Sequence, residues 1–91
     1  MMKEIYVKIE QLLLKLGFKK VTINTKQLFQ KGESYYKITF IKQFDGFVIE
    51  YAESKQEAEK EIFIDGDLYP LALGEKLLDK LESDLIEFYM E

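Results

Sequence analysis

The residues most suited to chemistry lie at positions 63–70, FIDGDLYP, where two aspartates flank a glycine. Carboxylates at this spacing suggest a calcium loop, which needs glycine at its sixth position and glutamate at its twelfth. Counted from Asp65, those positions hold Pro70 and Lys76, and counting from Glu61 also leaves the twelfth without a carboxylate. The segment does not match a calcium loop, so we expect no metal site.

Two other interpretations of this segment remain open. Aspartate and glycine tolerate left-handed backbone, and Pro70 favours an extended Tyr69, so the first interpretation is a turn before a helix. The second is a surface loop that presents Asp65, Asp67 and Tyr69 to a partner, since recognition residues are often carried on loops of a rigid scaffold. The turn is the favoured prediction.

Most enzyme chemistry has no candidate residues in this chain. The sequence contains no histidine and no cysteine, which removes the commonest general base, the thiolate nucleophile and the usual zinc ligands. Glu50 and Glu53 form a carboxylate pair of the kind that hydrolyses glycosides, but a half-chain with fourteen acidic residues produces such pairs by chance. We expect no enzyme activity, no catalytic residues and no cofactor.

The charges are divided unevenly along the chain. Residues 1–42 hold nine lysines and three acids, a net charge of +6, whereas residues 43–91 hold four lysines and fourteen acids, a net charge of −10. Folding could even out this difference, which is the favoured interpretation, or leave an acidic face that attracts a basic protein. All thirteen cations are lysine, so the bidentate arginine fork that reads nucleic acids is missing and we expect no nucleic-acid binding.

Several features predict the compartment. The absence of cysteine fits a reducing cytoplasm, and the N-terminal residues mix charged and apolar side chains, unlike a signal peptide. No apolar run approaches the roughly 18–20 residues that a membrane span requires. We therefore expect a cytoplasmic protein without membrane association.

Three helices are predicted. The first covers residues 2–16 and ends at Gly17, which is placed to adopt a left-handed conformation. The second is about two turns long, begins with the capping box of Ser54 and Glu57, and ends near residues 62–63. The third covers residues 74–89, and its apolar stripe consists of Leu77, Leu78, Leu81, Leu85 and Phe88.

Strands are predicted between the first two helices. Residues 35–53 alternate apolar and polar side chains around Asp45-Gly46, a dipeptide favoured in two-residue hairpin turns. A tight turn would pair Phe44 with Phe47 and Phe40 with Tyr51, and would bury the sheet face that carries them. Ile41, Val48 and Glu50 fall on the opposite face, and whether this face is free or covered stays open. A second hairpin is expected near Gly32. The prediction is one α+β domain over residues 1–91, a two-layer sandwich in the order α-β-β-β-α-α, with a three- to four-stranded antiparallel meander packed on the N- and C-terminal helices.

The second half of the chain resembles a known class of protein. Residues 47–78, FVIEYAESKQEAEKEIFIDGDLYPLALGEKLL, are similar in size, layout and acidic character to the small α+β immunity proteins of bacterial polymorphic toxin systems. The resemblance implies a stoichiometric inhibitor whose acidic face covers a toxin. Under this interpretation the expected contact residues are Asp65, Asp67, Tyr69, Glu50 and Glu53, and charge reversal at the two aspartates should weaken binding without lowering the melting temperature.

Two alternatives to a protein-binding inhibitor stay open. The first is a homodimeric regulatory or adaptor domain that associates through a strand edge or the final helix, which a concentration-independent monomer would argue against. The second, less favoured, is a small-molecule-binding domain, which would need an enclosed apolar pocket between sheet and helices.

Overall fold

A computed structural model describes residues 2–89 of the chain. The elements are α1 (Met2–Lys15), β1 (Lys19–Ile23), β2 (Lys26–Lys31), β3 (Ser34–Ile41), β4 (Gly46–Ala52), α2 (Lys55–Glu59), β5 (Ile64–Pro70) and α3 (Lys76–Asp84). Short 3-10 turns occupy Lys42–Phe44 and Leu71–Leu73, and a π-helical turn, Leu85–Tyr89, extends α3. The predicted α+β class is confirmed.

The end of α1 follows from the sequence around Gly17. This glycine has φ of +93°, and its N–H donates to the carbonyl of Leu14 at 3.1 Å while the N–H of Phe18 donates to that of Leu13 at 3.0 Å. These two bonds form a Schellman motif, which satisfies carbonyls left free at the helix end. Phe18 then turns back into the core, where it is 3 % exposed.

The sheet has five antiparallel strands in the order β1-β2-β3-β4-β5. It is a simple meander, as predicted, but with one strand more than the largest number expected. The extra strand is β5, which contains most of the FIDGDLYP segment. The prediction of a turn there is wrong, because the segment pairs along β4 from Gly46↔Pro70 to Tyr51↔Ile64.

The aspartates and glycine of β5 form a β-bulge. Val48 lies opposite Leu68 and Glu50 lies opposite Asp65, so two residues of β5, Gly66 and Asp67, face the single residue Ile49. A Cβ atom on Gly66 would lie 2.8 Å from the backbone oxygen of Ile49 and 2.7 Å from the hydroxyl of Tyr89. Only glycine fits this position without displacing its neighbours.

The turn between β3 and β4 is longer than predicted. Phe40 pairs with Phe47, not Tyr51, and Ile41 pairs with Gly46, so residues 42–45 form a four-residue connection. This change shifts the partner of each β3 residue by four positions. Because four is even, the predicted faces are preserved for the paired residues. Phe44 is the exception: it leaves the buried face and is 63 % exposed.

The two faces of the sheet are covered to different extents. Helices α1 and α3 pack on one face, the core face, and the space between is filled by large buried side chains of strands and helices. The short helix α2 covers part of the other face through a smaller cluster. Its N-cap is Ser54, whose Oγ accepts from the N–H of Glu57 at 3.2 Å, as the capping box predicted. The smaller cluster comprises Leu28, Tyr35, Ala52 and Ala58, with Val21, Ile23 and Phe63 packed around it.

The final helix departs from the predicted stripe at its end. Leu77, Leu81 and Leu85 are buried as expected, but Phe88 is 66 % exposed, and Tyr89 packs against the core instead. The reason is the π-helical turn, whose extra residue per turn delays the return to the core face by one position.

Candidate binding surface

The half of the second sheet face that α2 leaves uncovered forms a surface that we call the open face. Six residues from three adjacent strands and one turn define it: Ile41, Phe44, Val48, Glu50, Asp65 and Leu68. All six except Leu68, with Gly66, line a shallow cavity of about 330 Å³. The open face therefore combines an apolar centre with two carboxylates on a rigid support.

The alternation of side chains along β4 and the end of α2 together explain which residues lie on the open face. Along β4, Ala52, Glu50 and Val48 point to the second face, since side chains two apart share a face. Ala52 lies under α2 and is 1 % exposed, whereas α2 ends after Glu59, too short to reach the other two. In the described part of the chain this half of the face therefore carries apolar residues that are only partly covered: Ile41 and Val48 are half-buried, and Phe44 and Leu68 are exposed.

Phe44 is held on a fixed turn. The N–H of Asp45 donates to the carbonyl of Lys42 at 3.2 Å, and the carbonyl of Asp45 accepts from the N–H of Leu71 at 2.9 Å. Gly46 follows at a close approach of strands, because a Cβ there would lie 2.8 Å from the carbonyl oxygen of Tyr69. The turn is thus tied to the rest of the fold, although the ring that it carries is exposed.

The two carboxylates of the open face are electrostatically unequal. Glu50 accepts from the hydroxyl of Thr39 at 3.3 Å, and its carboxylate lies 3.8 Å from the ammonium of Lys37. Asp65 is exposed and has no ion pair within residues 2–89. Since Asp65 lies opposite Glu50 across the strands, the pair places like charges together, which is unfavourable for the isolated sheet. A cation from outside would relieve this repulsion.

Asp67 and Tyr69, predicted as contact residues beside Asp65, lie on the core side of the sheet. Tyr69 is 1 % exposed, so the expectation that a surface loop presents it is wrong. Its hydroxyl donates to Oδ2 of Asp84 at 2.8 Å, and the hydroxyl of Tyr89 donates to Oδ2 of Asp67 at 3.2 Å. The bulge explains the separation, because the extra residue turns Asp67 and Tyr69 away from the face of Asp65.

The buried carboxylate of Asp84 connects β5 to α3. It is 9 % exposed and also accepts from the ammonium of Lys80 at 2.9 Å. Burial alone would raise the pKa of Asp84, but the hydrogen bonds from Lys80 and Tyr69 outweigh burial and hold that pKa below its ordinary value. Burial and the bond to Asp84 raise the pKa of the Tyr69 hydroxyl, which stays protonated as the donor. The hydrogen bonds that Asp84 accepts from Tyr69 and Lys80 therefore stabilise the fold.

Glu53 lies apart from both groups. It lines an opening of about 270 Å³ on the core side of the sheet, beside three tyrosines. The five predicted contact residues therefore fall in three places, and the open face brings together only Glu50 and Asp65. Within the described part of the chain, no three carboxylates are arranged to hold a metal ion, and no helix has both the length and the apolar character to cross a membrane.

Sequence reasoning missed two members of the open face. Phe44 was assigned to the buried face because a two-residue turn was assumed, and Leu68 was assigned to a turn. A usable signal existed for Leu68, since Ile64, Gly66 and Leu68 alternate with polar or aromatic residues as in a strand. For Ile41 and Val48 the face was predicted correctly, and the structure adds that it is open.

The chain was compared with family models, curated proteins and solved structures, and none of them matches.

Proposed function

We propose that this chain is a small intracellular protein-binding domain that holds a basic protein partner against the open face. The supporting observation is the combination of an exposed aromatic ring on a fixed turn, an apolar centre and a carboxylate, Asp65, that has no ion pair within residues 2–89. Binding energy in protein interfaces is concentrated in such aromatic anchors surrounded by a polar rim. The resemblance to immunity proteins further implies what this binding does: the domain would inhibit a bacterial toxin stoichiometrically.

Charge supports a basic partner. The chain has a net charge of −4, and a positive partner would be attracted before contact and would relieve the repulsion between Glu50 and Asp65. Folding does bring the halves of the chain together in pairs such as Lys15 with Glu82, Lys26 with Glu61 and Lys37 with Glu50, and the last of these lies on the open face. Asp65 is then the carboxylate of the open face that has no ion pair within residues 2–89.

Affinity capture from cells that produce the protein tests this function. Tagged protein is used as bait at about 0.15 M and about 1 M salt, because screening weakens charge-steered association. Asp65→Lys is compared with Asp79→Lys, which makes the same change of net charge on the exposed side of α3. We expect a near-stoichiometric basic protein that is captured at low salt by the parent chain and by Asp79→Lys, and is reduced about tenfold with Asp65→Lys.

Two results would contradict the proposal: capture that is equal for the two charge-reversed variants, or recovery of the bait alone. Asp65→Lys is a clean variant because it places a cation opposite Glu50 and breaks no side-chain hydrogen bond or ion pair within residues 2–89. Reversal of Asp67, in contrast, would remove the acceptor of the Tyr89 hydroxyl and should lower stability as well.

A homodimer is the second candidate, favoured by Ile86 and Phe88, which are 53 % and 66 % exposed on the final helix. Sedimentation equilibrium over a hundredfold range of concentration separates the two candidates. A monomer throughout supports the heterologous partner, and a dimer that Ile86→Ser dissociates supports self-association.

A further inference from the structure

A second opening lies on the opposite side of the sheet from the open face. It is enclosed by the start of β3, the end of β4 and the π-helical turn, and it has a volume of about 270 Å³. We call it the tyrosine pocket. Its lining residues are Ser34, Tyr36, Tyr51, Glu53, Phe88 and Tyr89.

The three tyrosine rings pack against one another beside the opening. Tyr36 and Tyr51 lie 6.0 Å apart between ring centroids with an interplanar angle of 30°. Tyr89 stands across both, at 6.1 Å and 85° from Tyr36 and at 5.7 Å and 66° from Tyr51. Phe88, which is 66 % exposed, adds a fourth ring at the solvent side. Tyr36 is 3 % exposed, so the aromatic surface accessible to a ligand comes from the half-buried Tyr51 and Tyr89 and from Phe88.

Internal hydrogen bonds hold this arrangement. The hydroxyl of Tyr36 donates to the carbonyl of Tyr89 at 2.6 Å, and the hydroxyl of Tyr89 donates to Asp67 at 3.2 Å. Tyr36 itself is 3 % exposed, and the glycine of the bulge makes room for the Tyr89 hydroxyl. A ligand would therefore meet rings already in place, which lowers the entropic cost of binding.

The charge on the residues that line the tyrosine pocket determines which kind of ligand it can bind. Glu53 is the acidic side chain among the described lining residues. Burial raises the pKa of Tyr36, and burial together with Asp67 raises the pKa of Tyr89 to about 12, so these two hydroxyls stay protonated at neutral pH. None of the lining residues described within residues 2–89 is a cation, so an anion would find no partner among them, whereas a cation would meet aromatic rings and one carboxylate. The volume is below the roughly 300 Å³ of sites for drug-sized molecules and suits a single small group.

We propose that the tyrosine pocket binds an organic cation through cation–π contacts with its rings and an ion pair with Glu53. The ligand class is an alkylammonium or guanidinium ion, whether free in solution or at the end of a protein side chain. The pocket faces away from the open face, so this proposal stands independently of the partner proposed there.

NMR titration of the full chain with choline tests the proposal. The neutral isostere 3,3-dimethyl-1-butanol is titrated in parallel, because it has the same shape without the charge. We expect saturable shifts of the Tyr36, Tyr51 and Tyr89 resonances with choline and none with the alcohol. Glu53→Gln and Tyr51→Leu should each weaken choline binding about two- to fivefold, and Asp79→Asn, on the exposed side of α3, should leave it unchanged.

A second titration with N-acetylarginine amide distinguishes the source of the cation. Tighter binding than choline assigns the pocket to protein side chains, and weaker binding assigns it to free quaternary ammonium compounds; either result supports a cation site. The proposal is overturned if neither cation shifts the tyrosine resonances, or if the neutral alcohol shifts them as strongly as choline. Glu53 is exposed, so its variant tests the charge even if Tyr51→Leu disturbs the fold.

Discussion

Each face of β5 carries one aspartate, and the two aspartates have different surroundings. Asp67 and Tyr69 point to the core side, where their polar atoms bond to Tyr89 and Asp84 of the final helix. Asp65 and Leu68 point to the second face, where Asp65 has no ion pair within residues 2–89 and Leu68 is 38 % exposed. The bulge between the two aspartates therefore decides their roles: Asp67 bonds within the fold, whereas Asp65 is exposed and can contact a partner.

The largest expected difference concerns leucine. Leu77→Ala removes a side chain that is 0 % exposed from between α3 and the sheet, and should lower the free energy of unfolding by about 2–5 kcal/mol. Leu68→Ala makes the same truncation on the open face and should lower it by less than about 1 kcal/mol. Urea denaturation followed by circular dichroism measures both. Equal losses would mean that the open face is part of the core.

The next difference concerns aspartate. Asp84→Ala leaves the buried Tyr69 hydroxyl without its acceptor and should cost about 2–3 kcal/mol of stability. Asp65→Ala should change stability by no more than about 0.5 kcal/mol, and in the stabilising direction, because it relieves the repulsion with Glu50. The same denaturation experiment applies. A larger loss for Asp65→Ala than for Asp84→Ala would reverse the assignment of the two carboxylates.

The bulge that separates the faces can be tested at its glycine. Gly66→Ala brings a methyl group against the Ile49 carbonyl and the Tyr89 hydroxyl, and should destabilise the fold by about 1–3 kcal/mol. In a Tyr89→Phe background one of the two clashes is absent, so the same substitution should cost less. If the cost is unchanged in that background, the Tyr89 hydroxyl does not approach Gly66 as described.

The smallest effect is the acid dependence of stability. Asp84 has a pKa below its ordinary 3.8 in the folded chain, so the unfolded chain binds more protons in acid. The stability that ionised Asp84 provides is complete above the unfolded pKa and is lost as pH falls through the lower folded pKa. Between about pH 5 and about pH 3, the parent chain should therefore lose more stability than Asp84→Asn. Urea denaturation of both proteins at the two pH values measures these losses. If the parent chain and Asp84→Asn lose the same free energy of unfolding, Asp84 does not contribute to the acid dependence.

Local patterns were sufficient to predict much of this fold. Helix α1, Gly17 at its end and the capping box at Ser54 depend on residues within a few positions of one another, and each was predicted correctly. The length of the β3–β4 turn was not, because it depends on how Gly46 meets Tyr69 and Pro70 of β5, a contact that no neighbouring residue reveals.

The candidate site was less predictable for the same reason. Asp65, Asp67 and Tyr69 were predicted to lie together on a surface loop, and regular strand alternation would also have placed them on one face. The bulge that separates them lies at Gly66, where a Cβ atom would meet the hydroxyl of Tyr89, 23 positions further along the chain, a contact that neighbouring residues do not reveal. Likewise, the sequence indicated that Ile41 and Val48 share a face but could not indicate that α2 stops short of them.

The most direct test of the central claim compares two phenylalanines of equal exposure. Phe44 and Phe88 are 63 % and 66 % exposed, but only Phe44 belongs to the open face. Phe44→Ser and Phe88→Ser are purified, their melting temperatures are measured, and each is used as bait for the basic partner. We predict unchanged melting for both and a loss of capture of more than about tenfold for Phe44→Ser alone. Equal capture by the two variants would contradict the account.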